Sequence, residues 1–230
     1  MEALQRRQES ILERIQALGR KLDQMTCNTS VCENPFSSRR RGNSLIEDPH
    51  GTMLKLSKDL ETRGVRDYAF VRAPTEYYDK DLEFRRNILD ASSIHHLCKS
   101  IIMENTRVEE DEQGVVKYWL VIVQYSSRLD SEVLRTHVYN HHKGLVSRGK
   151  INMRLVSEEK SYELSGFKKN AVTPVGMKVQ LPIVLAKEIA DLSPDEFWIG
   201  AGEVDLKIGM RVSDFIKAYN PMIVSLGSKD

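Results

Sequence analysis

The chain has 230 residues, with 34 Lys and Arg against 33 Asp and Glu, a formal net charge of +1. So small a basic excess excludes a protein that coats long nucleic acid, and any such contact is expected to be local. Hydrophobic residues make up 40% and charged residues 29%, and no apolar run approaches the roughly 18–20 residues that span a bilayer, so no membrane partner is expected. The opening MEALQRRQES has no apolar stretch and carries Glu2 and Glu9, which fits neither a secretory signal nor a transit peptide. Three cysteines do not make a disulfide framework, and a reducing, cytoplasmic setting is expected.

Residues 4–25 carry the first pattern. Leu4, Ile11, Leu18 and Met25 lie seven apart, interleaved with Gln8, Ile15 and Leu22. Alternating spacings of four and three make the seam of a coiled coil. The stripe is narrow, which favours a partner helix, or a second copy of the chain, over a helix folded back on its own domain. Residues 1–26 are therefore read as a coiled-coil helix. Residues 27–66 are read as a flexible linker, being rich in Asn, Ser, Thr, Gly and Pro and holding Arg39, Arg40 and Arg41. Within it, Leu54, Leu56 and Leu60 hint at a short amphipathic helix.

A globular domain is expected over 67–230. The pattern predicts a helix over 75–89, strands over 100–105 and 115–125, and a helix over 129–139. A strand over 151–156 is followed by a helix that Ser157 caps and Gly166 ends. One or two strands broken by Pro174 and Pro182 are predicted over 172–185. Strands follow at 197–199 and 204–210, around Gly200 and Gly202. Ser213 is expected to cap a helix to Tyr219, and a strand over 222–226 closes the chain. There is no regular βαβ rhythm. The fold class is therefore α+β, with a mixed, largely antiparallel sheet and peripheral helices.

Metal and cofactor chemistry finds little support. His137 and His141 lie one turn apart beside His142, but no carboxylate or fourth ligand accompanies them. Cys27 and Cys32 lack the paired CxxC of zinc ribbons. There is no GxSxG elbow, no phosphate loop and no dinucleotide fingerprint, so no metal and no cofactor are expected. What remains is the segment from Ser165 to Gly176, where Gly166, Asn170, Pro174 and Gly176 crowd one loop. Such a loop can turn several N–H groups toward one point and hold an anion or oxyanion. On composition alone, an ordinary tight connection between helix and strand is the favoured reading.

The ordered segments CKSIIM, ELSGFKKNAVTPVGM, LPIVLAKEI and FWIGAGEVDLKIGMRVSDF resemble the YbaK/prolyl-tRNA-synthetase-associated editing family over residues 75–226. Lys99-Ser100 matches the family's Lys-Thr. Gly166, Pro174 and Gly176 match its GxxxGxxxPxG loop, and Gly200 and Gly202 its later turn. The segment 212–215 matches the start of its last helix. Asn170 and Ala171 stand where glycines are common, and GEVDLKI lacks a histidine that some editing domains carry.

The resemblance implies a YbaK-like, barrel-like fold and hydrolysis of mischarged aminoacyl-tRNA gripped by its acceptor end. It implies a catalytic group of Lys99 with the main chain at Gly166, Gly176, Gly200 and Gly202. Substrate contacts would come from Ser100, Asn170, Thr173 and Pro174. The N-terminal heptads are similar to the leucine zipper of scaffold subunits of the animal multi-aminoacyl-tRNA synthetase complex, which implies tethering to synthetases or to such a scaffold. A trans-editing hydrolase is the first expectation. A non-catalytic tRNA-binding or scaffold subunit is the second, and a hydrolase of another activated acyl ester the third.

Overall fold

The computed structural model describes residues 47–109, 114–142 and 145–226. The expected coiled coil of 1–26 lies outside the described residues, as do Cys27, Cys32 and the arginine run. No helix among the described residues is long and apolar enough to cross a membrane.

The first element corrects the linker expected over 27–66. Thr52–Thr62 is a helix, α1. Asp48 starts it, its carboxylate accepting from the Met53 and Leu54 amides. Met53, Leu56 and Leu60 fall at helical spacing and are buried, while Leu54 points out. The polar residues between these leucines mimic linker composition, but the apolar face is part of the main core.

Strand β1 (Tyr68–Arg72) follows. The helix expected over 75–89 divides into a short 3-10 turn, Thr75–Tyr78, and helix α2, Leu82–Leu89. The break falls at Asp81, which accepts from the Phe84 amide at 2.8 Å and starts a new helix. Strands β2 (Cys98–Asn105) and β3 (Tyr118–Gln124) pair antiparallel. Helix α3 (Ser131–His141) is capped by Asp130. Strand β4 (Met153–Leu155) precedes helix α4 (Glu158–Ser165). Ser157 caps α4, and Gly166 ends it at φ 77°.

Residues 172–182 form no strand; only Ile183–Ala186, β5, does. Pro174 and Pro182 lack the N–H that a ladder needs. A four-residue helix α5 (Lys187–Ala190), strands β6 (Phe197–Gly200) and β7 (Leu206–Met210), helix α6 (Val212–Tyr219) and strand β8 (Met222–Val224) complete the order. Ser213 is inside α6 rather than at its cap. Asp195 takes that part, accepting from the Ser213 amide and hydroxyl at 3.0 and 2.6 Å.

The strands form two sheets, ordered β1-β7-β6 and β4-β2-β3-β5-β8. All pairs are antiparallel except β3 with β5 and β5 with β8. The α+β, mixed character stands, but the described residues form no closed barrel, which corrects the barrel-like expectation. An isolated bridge between Leu97 and Trp198 links the two sheets just before β2. β3 reads YWLVIVQ and is buried on both faces, as a central strand must be. The main core gathers Trp119, Leu120, Ile122, Phe197 and Phe215. A smaller core of Tyr77, Leu89, Leu97 and Trp198 lies under the 3-10 turn and α2.

Candidate functional site

A cleft of about 260 Å³ opens between the start of β2, the end of β6, the loop after α4 and the segment joining β4 to α4. Lys99 and Ser100 come from β2, Asn170 and Val172 from the loop, and Gly200 from β6. Leu155 and Val156 line the far side, with Ile101 and Ile102 between. Glu158 and Lys169 form an ion pair at its margin. One wall is thus apolar, and the other carries Lys99 and the backbone of the loop and of Gly200.

The two glycine bends meet at this cleft. The Gly202 amide donates to the Ala171 carbonyl at 3.0 Å. A Cβ built on Gly200 would lie 3.0 Å from the Val172 carbonyl oxygen and 3.3 Å from the Ala171 carbonyl carbon. Glycine is what permits β6 to run so close to the loop's main chain.

Of the residues expected to form the site, Lys99, Ser100, Asn170 and Gly200 line the cleft. Gly166, Thr173, Pro174, Gly176 and Gly202 do not. Gly166 serves as the left-handed end of α4. Thr173 and Pro174 are buried, and the Thr173 hydroxyl accepts from the Val175 amide at 3.4 Å. Gly176 faces α1, where its amide donates to Asp59 at 3.0 Å and Leu56 packs against it. Gly202, at φ 83°, is enclosed by Phe167 and Thr52. These glycines shape the loop from behind.

The amides divide in the same way. Those of Gly166, Phe167, Ala171, Gly176, Ala201 and Gly202 all donate within the protein. Those of Asn170 and Val172 have no acceptor among the described residues. Asn170 adopts φ 65°, a left-handed conformation that asparagine tolerates better than most side chains. The Ser100 hydroxyl is enclosed and has no hydrogen-bond partner among the described residues. The Lys99 ammonium stands 5.7 Å from the centre of the Tyr125 ring.

Behind Tyr125 lies a group of residues that the sequence reading passed over. The Arg85 guanidinium sits 5.3–5.6 Å from the rings of Tyr77, Tyr78 and Tyr125 and donates to the Tyr77, Tyr78 and Lys80 carbonyls. The Tyr78 hydroxyl donates to the Asn170 carbonyl at 2.8 Å. Burial pushes the Tyr77, Tyr78 and Tyr125 hydroxyls up, so all three keep their protons at neutral pH. Lys207 donates to the Tyr78 oxygen and to the Val204 carbonyl at 2.9 and 2.6 Å. Burial also pushes the Cys98 thiol up, away from the reactive thiolate. Alternation along β7 puts Leu206, Ile208 and Met210 on the core face and Lys207 on the other. That other face would be solvent in a one-sided sheet. Here the 3-10 turn and the smaller core cover it.

Among the described residues, no group of three His, Cys, Asp or Glu side chains is placed to hold a metal. His142 is an interior residue. Its Nε2 accepts from the Val116 amide at 2.7 Å and its Nδ1 lies 2.9 Å from the Val138 carbonyl. Burial holds its pKa below the usual imidazole value.

Two solved structures share this fold. One is a candidate trans-editing enzyme for prolyl tRNA synthetase, 19% identical, with a TM-score of 0.62 over 80% of this chain and 100% of that one. The other is a scaffold protein from epitope grafting by computational design, 17% identical, with the same TM-score and coverage. None of the curated proteins matches this sequence. Residues 89–218, more than half of the chain, match the model of the aminoacyl-tRNA editing domain, and the chain belongs to that family. The chemistry of such a domain is of the deacylase type.

Proposed function

We propose that this protein hydrolyses mischarged aminoacyl-tRNA in trans, taking the acceptor end into the cleft beside Lys99. The observation that carries this reading is the convergence of the Lys99 ammonium, the free amides of Asn170 and Val172, and the close-packed Gly200 on one cavity.

An aminoacyl ester is already activated, so its hydrolysis needs orientation and charge stabilisation more than a strong nucleophile. Water adds to the ester carbonyl carbon, the bond to the ribose oxygen breaks, and that oxygen leaves with a proton. Amides on the carbonyl oxygen lower the barrier, each typically worth about 10²–10³ in rate. The substrate's own vicinal ribose hydroxyl can relay the proton. Lys99 is assigned to the terminal phosphate or ribose, as a compact cation with three donors. The Ile101–Leu155 wall offers an apolar surface to the acyl group, with Ser100 beside it. A near-neutral chain suits a domain that grips a few nucleotides. Its weak general hold on tRNA is compensated by the expected N-terminal tether to synthetases, which raises effective concentration.

A panel of mischarged tRNAs incubated with the full chain tests this. Release of amino acid from at least one of them is expected, and Lys99→Ala should cut the rate roughly tenfold or more without changing the melting temperature. No release from any tRNA overturns the enzyme reading. The second reading, a non-catalytic tRNA-binding subunit, has one observation in its favour: six bend amides already donate inside the protein. Binding of tRNA without turnover is its signature.

A further inference from the structure

A lysine inside a sheet is expensive unless its ammonium finds oxygen atoms. Lys207 is 4% exposed. It stands on β7 directly opposite Gly200 of β6. Its ammonium has two oxygens, Tyr78 Oη and the Val204 carbonyl, and lies 4.7 Å from the centre of the Tyr78 ring and 5.2 Å from that of Tyr77. Tyr78 Oη accepts from Lys207 and passes its own hydrogen to the Asn170 carbonyl. Asn170 is the residue held at φ 65°. Asparagine enters that region more readily than most side chains, and here the Tyr78 hydroxyl holds its carbonyl.

The Asn170 carbonyl belongs to the same peptide plane as the Ala171 amide, which donates to the Lys168 carbonyl at 3.0 Å. One residue's φ and ψ separate that plane from the Asn170 amide on one side and from the Val172 amide on the other, so fixing it narrows the swing of both. The Val172 amide is further held through its own plane, whose Ala171 carbonyl accepts from the Gly202 amide at 3.0 Å. We propose that Lys207 and Tyr78 form a positioning pair, in which the buried ammonium orients the Tyr78 hydroxyl so that it locks the Asn170–Ala171 peptide, the unit between the two free amides of the cleft-lining loop. The proposal rests on the editing reading for its catalytic consequence, and on the hydrogen-bond geometry alone for the locking.

The charge of Lys207 is part of the device. Burial lowers its pKa to about 8, with Asp205 opposing the shift and Arg85 adding to it. Tyr77 and Tyr78 face it from the 3-10 turn, and Cys98 and Tyr125 share its small cavity from β2 and the end of β3. The Lys99 ammonium lies 5.7 Å from the Tyr125 ring centre, and Lys99 is not among the residues of this small cavity. From β1, Arg72 is engaged by Glu203 and Asp205. While charged, Lys207 can only donate to Tyr78. Once neutral, its lone pair competes for the Tyr78 hydrogen, and the bond to Asn170 loosens.

Tyr78→Phe and Lys207→Met, made in the full chain, test the pair. Amide exchange at Ala171 should speed roughly fivefold or more in Tyr78→Phe, with the β3 amides unchanged. With a tRNA substrate from the panel, kcat should fall roughly tenfold at constant KM in each variant, and the double variant should be no worse than either alone. Wild-type kcat, corrected for uncatalysed hydrolysis, should decline through one ionisation near the pKa of about 8, and both variants should lack that decline. Unchanged exchange at Ala171, additive losses, or a pH profile shared by wild type and variants overturns the pair. If the wild type deacylates nothing, the editing reading fails, and the exchange measurement still decides the locking. If Lys207→Met does not fold, Tyr78→Phe decides it alone.

Discussion

The two glycine bends have a front and a back, and the two faces are built on opposite principles. The front is the cleft, where Lys99, Asn170, Val172 and Gly200 are accessible and the Asn170 and Val172 amides await an acceptor. At the back, Gly176 and Gly202 are pressed against α1, and both of their amides are engaged within the protein. Asp59 of α1 accepts both from the Gly176 amide and from the Tyr219 hydroxyl, at 3.0 and 2.7 Å. The lesson is a division of labour within one motif. Glycines of the same pattern need not share a role: Gly200 permits approach to the cleft, whereas Gly176 and Gly202 permit packing behind it.

The sharpest way to break this comparison is to damage the back alone. Leu56 is fully buried and touches Gly176. Leu56→Ala should lower the unfolding free energy by about 2–5 kcal/mol, the usual range for a core leucine. Urea denaturation measures it, and a loss under about 1 kcal/mol would mean that α1 is not part of the core.

A smaller effect is expected at the seam between front and back. Gly200→Ala places a methyl 3.0 Å from the Val172 carbonyl oxygen, a backbone atom that cannot swing away. The loop should shift by a few tenths of an ångström. Deacylation should slow roughly tenfold while the melting temperature changes little. Equal rates would separate Gly200 from the geometry of the cleft.

The smallest expected effect concerns pH. Lys207 is held near a pKa of about 8, below that of a lysine in an unfolded chain. The unfolded state therefore binds more protons above that value, and native stability rises with pH there. Relative to Lys207→Met, which has no such group, the wild type should gain about 1 kcal/mol between about pH 7 and about pH 9. Parallel melts of the two proteins across that range check the sign. A constant gap would place the ammonium in contact with water.

Much of the element order was legible because it rests on local rules. Ser157 and Gly166 bound α4 as their chemistry dictates, and the strand pattern of β2 and β3 is unambiguous. The family resemblance grouped Lys99 with Gly200, and both line the cleft. The rest depends on long-range packing. α1 showed only as a hint at Leu54, Leu56 and Leu60, because three buried residues among polar ones carry a weak signal until a partner surface is known. Lys207 was hidden because alternation along β7 assigns its face to solvent, and only the tertiary fold covers that face. Tyr78 gives no sign in sequence that its hydroxyl reaches residue 170, 92 positions away. The amides of the bends could be counted from sequence but not sorted, since which of them remain available depends on the carbonyls that the fold brings near.

The placement of α1 has a practical consequence for anyone excising this domain. A fragment cut at the limits of the family match, residues 89–218, would discard α1 and β1 and leave a bare greasy trough where Met53, Leu56 and Leu60 had been seated. Such a fragment should clump during purification, and its silence in an assay would be an artefact of surgery. Expression plasmids for crystallography or enzymology are best begun upstream of Asp48, whose carboxylate starts the helix.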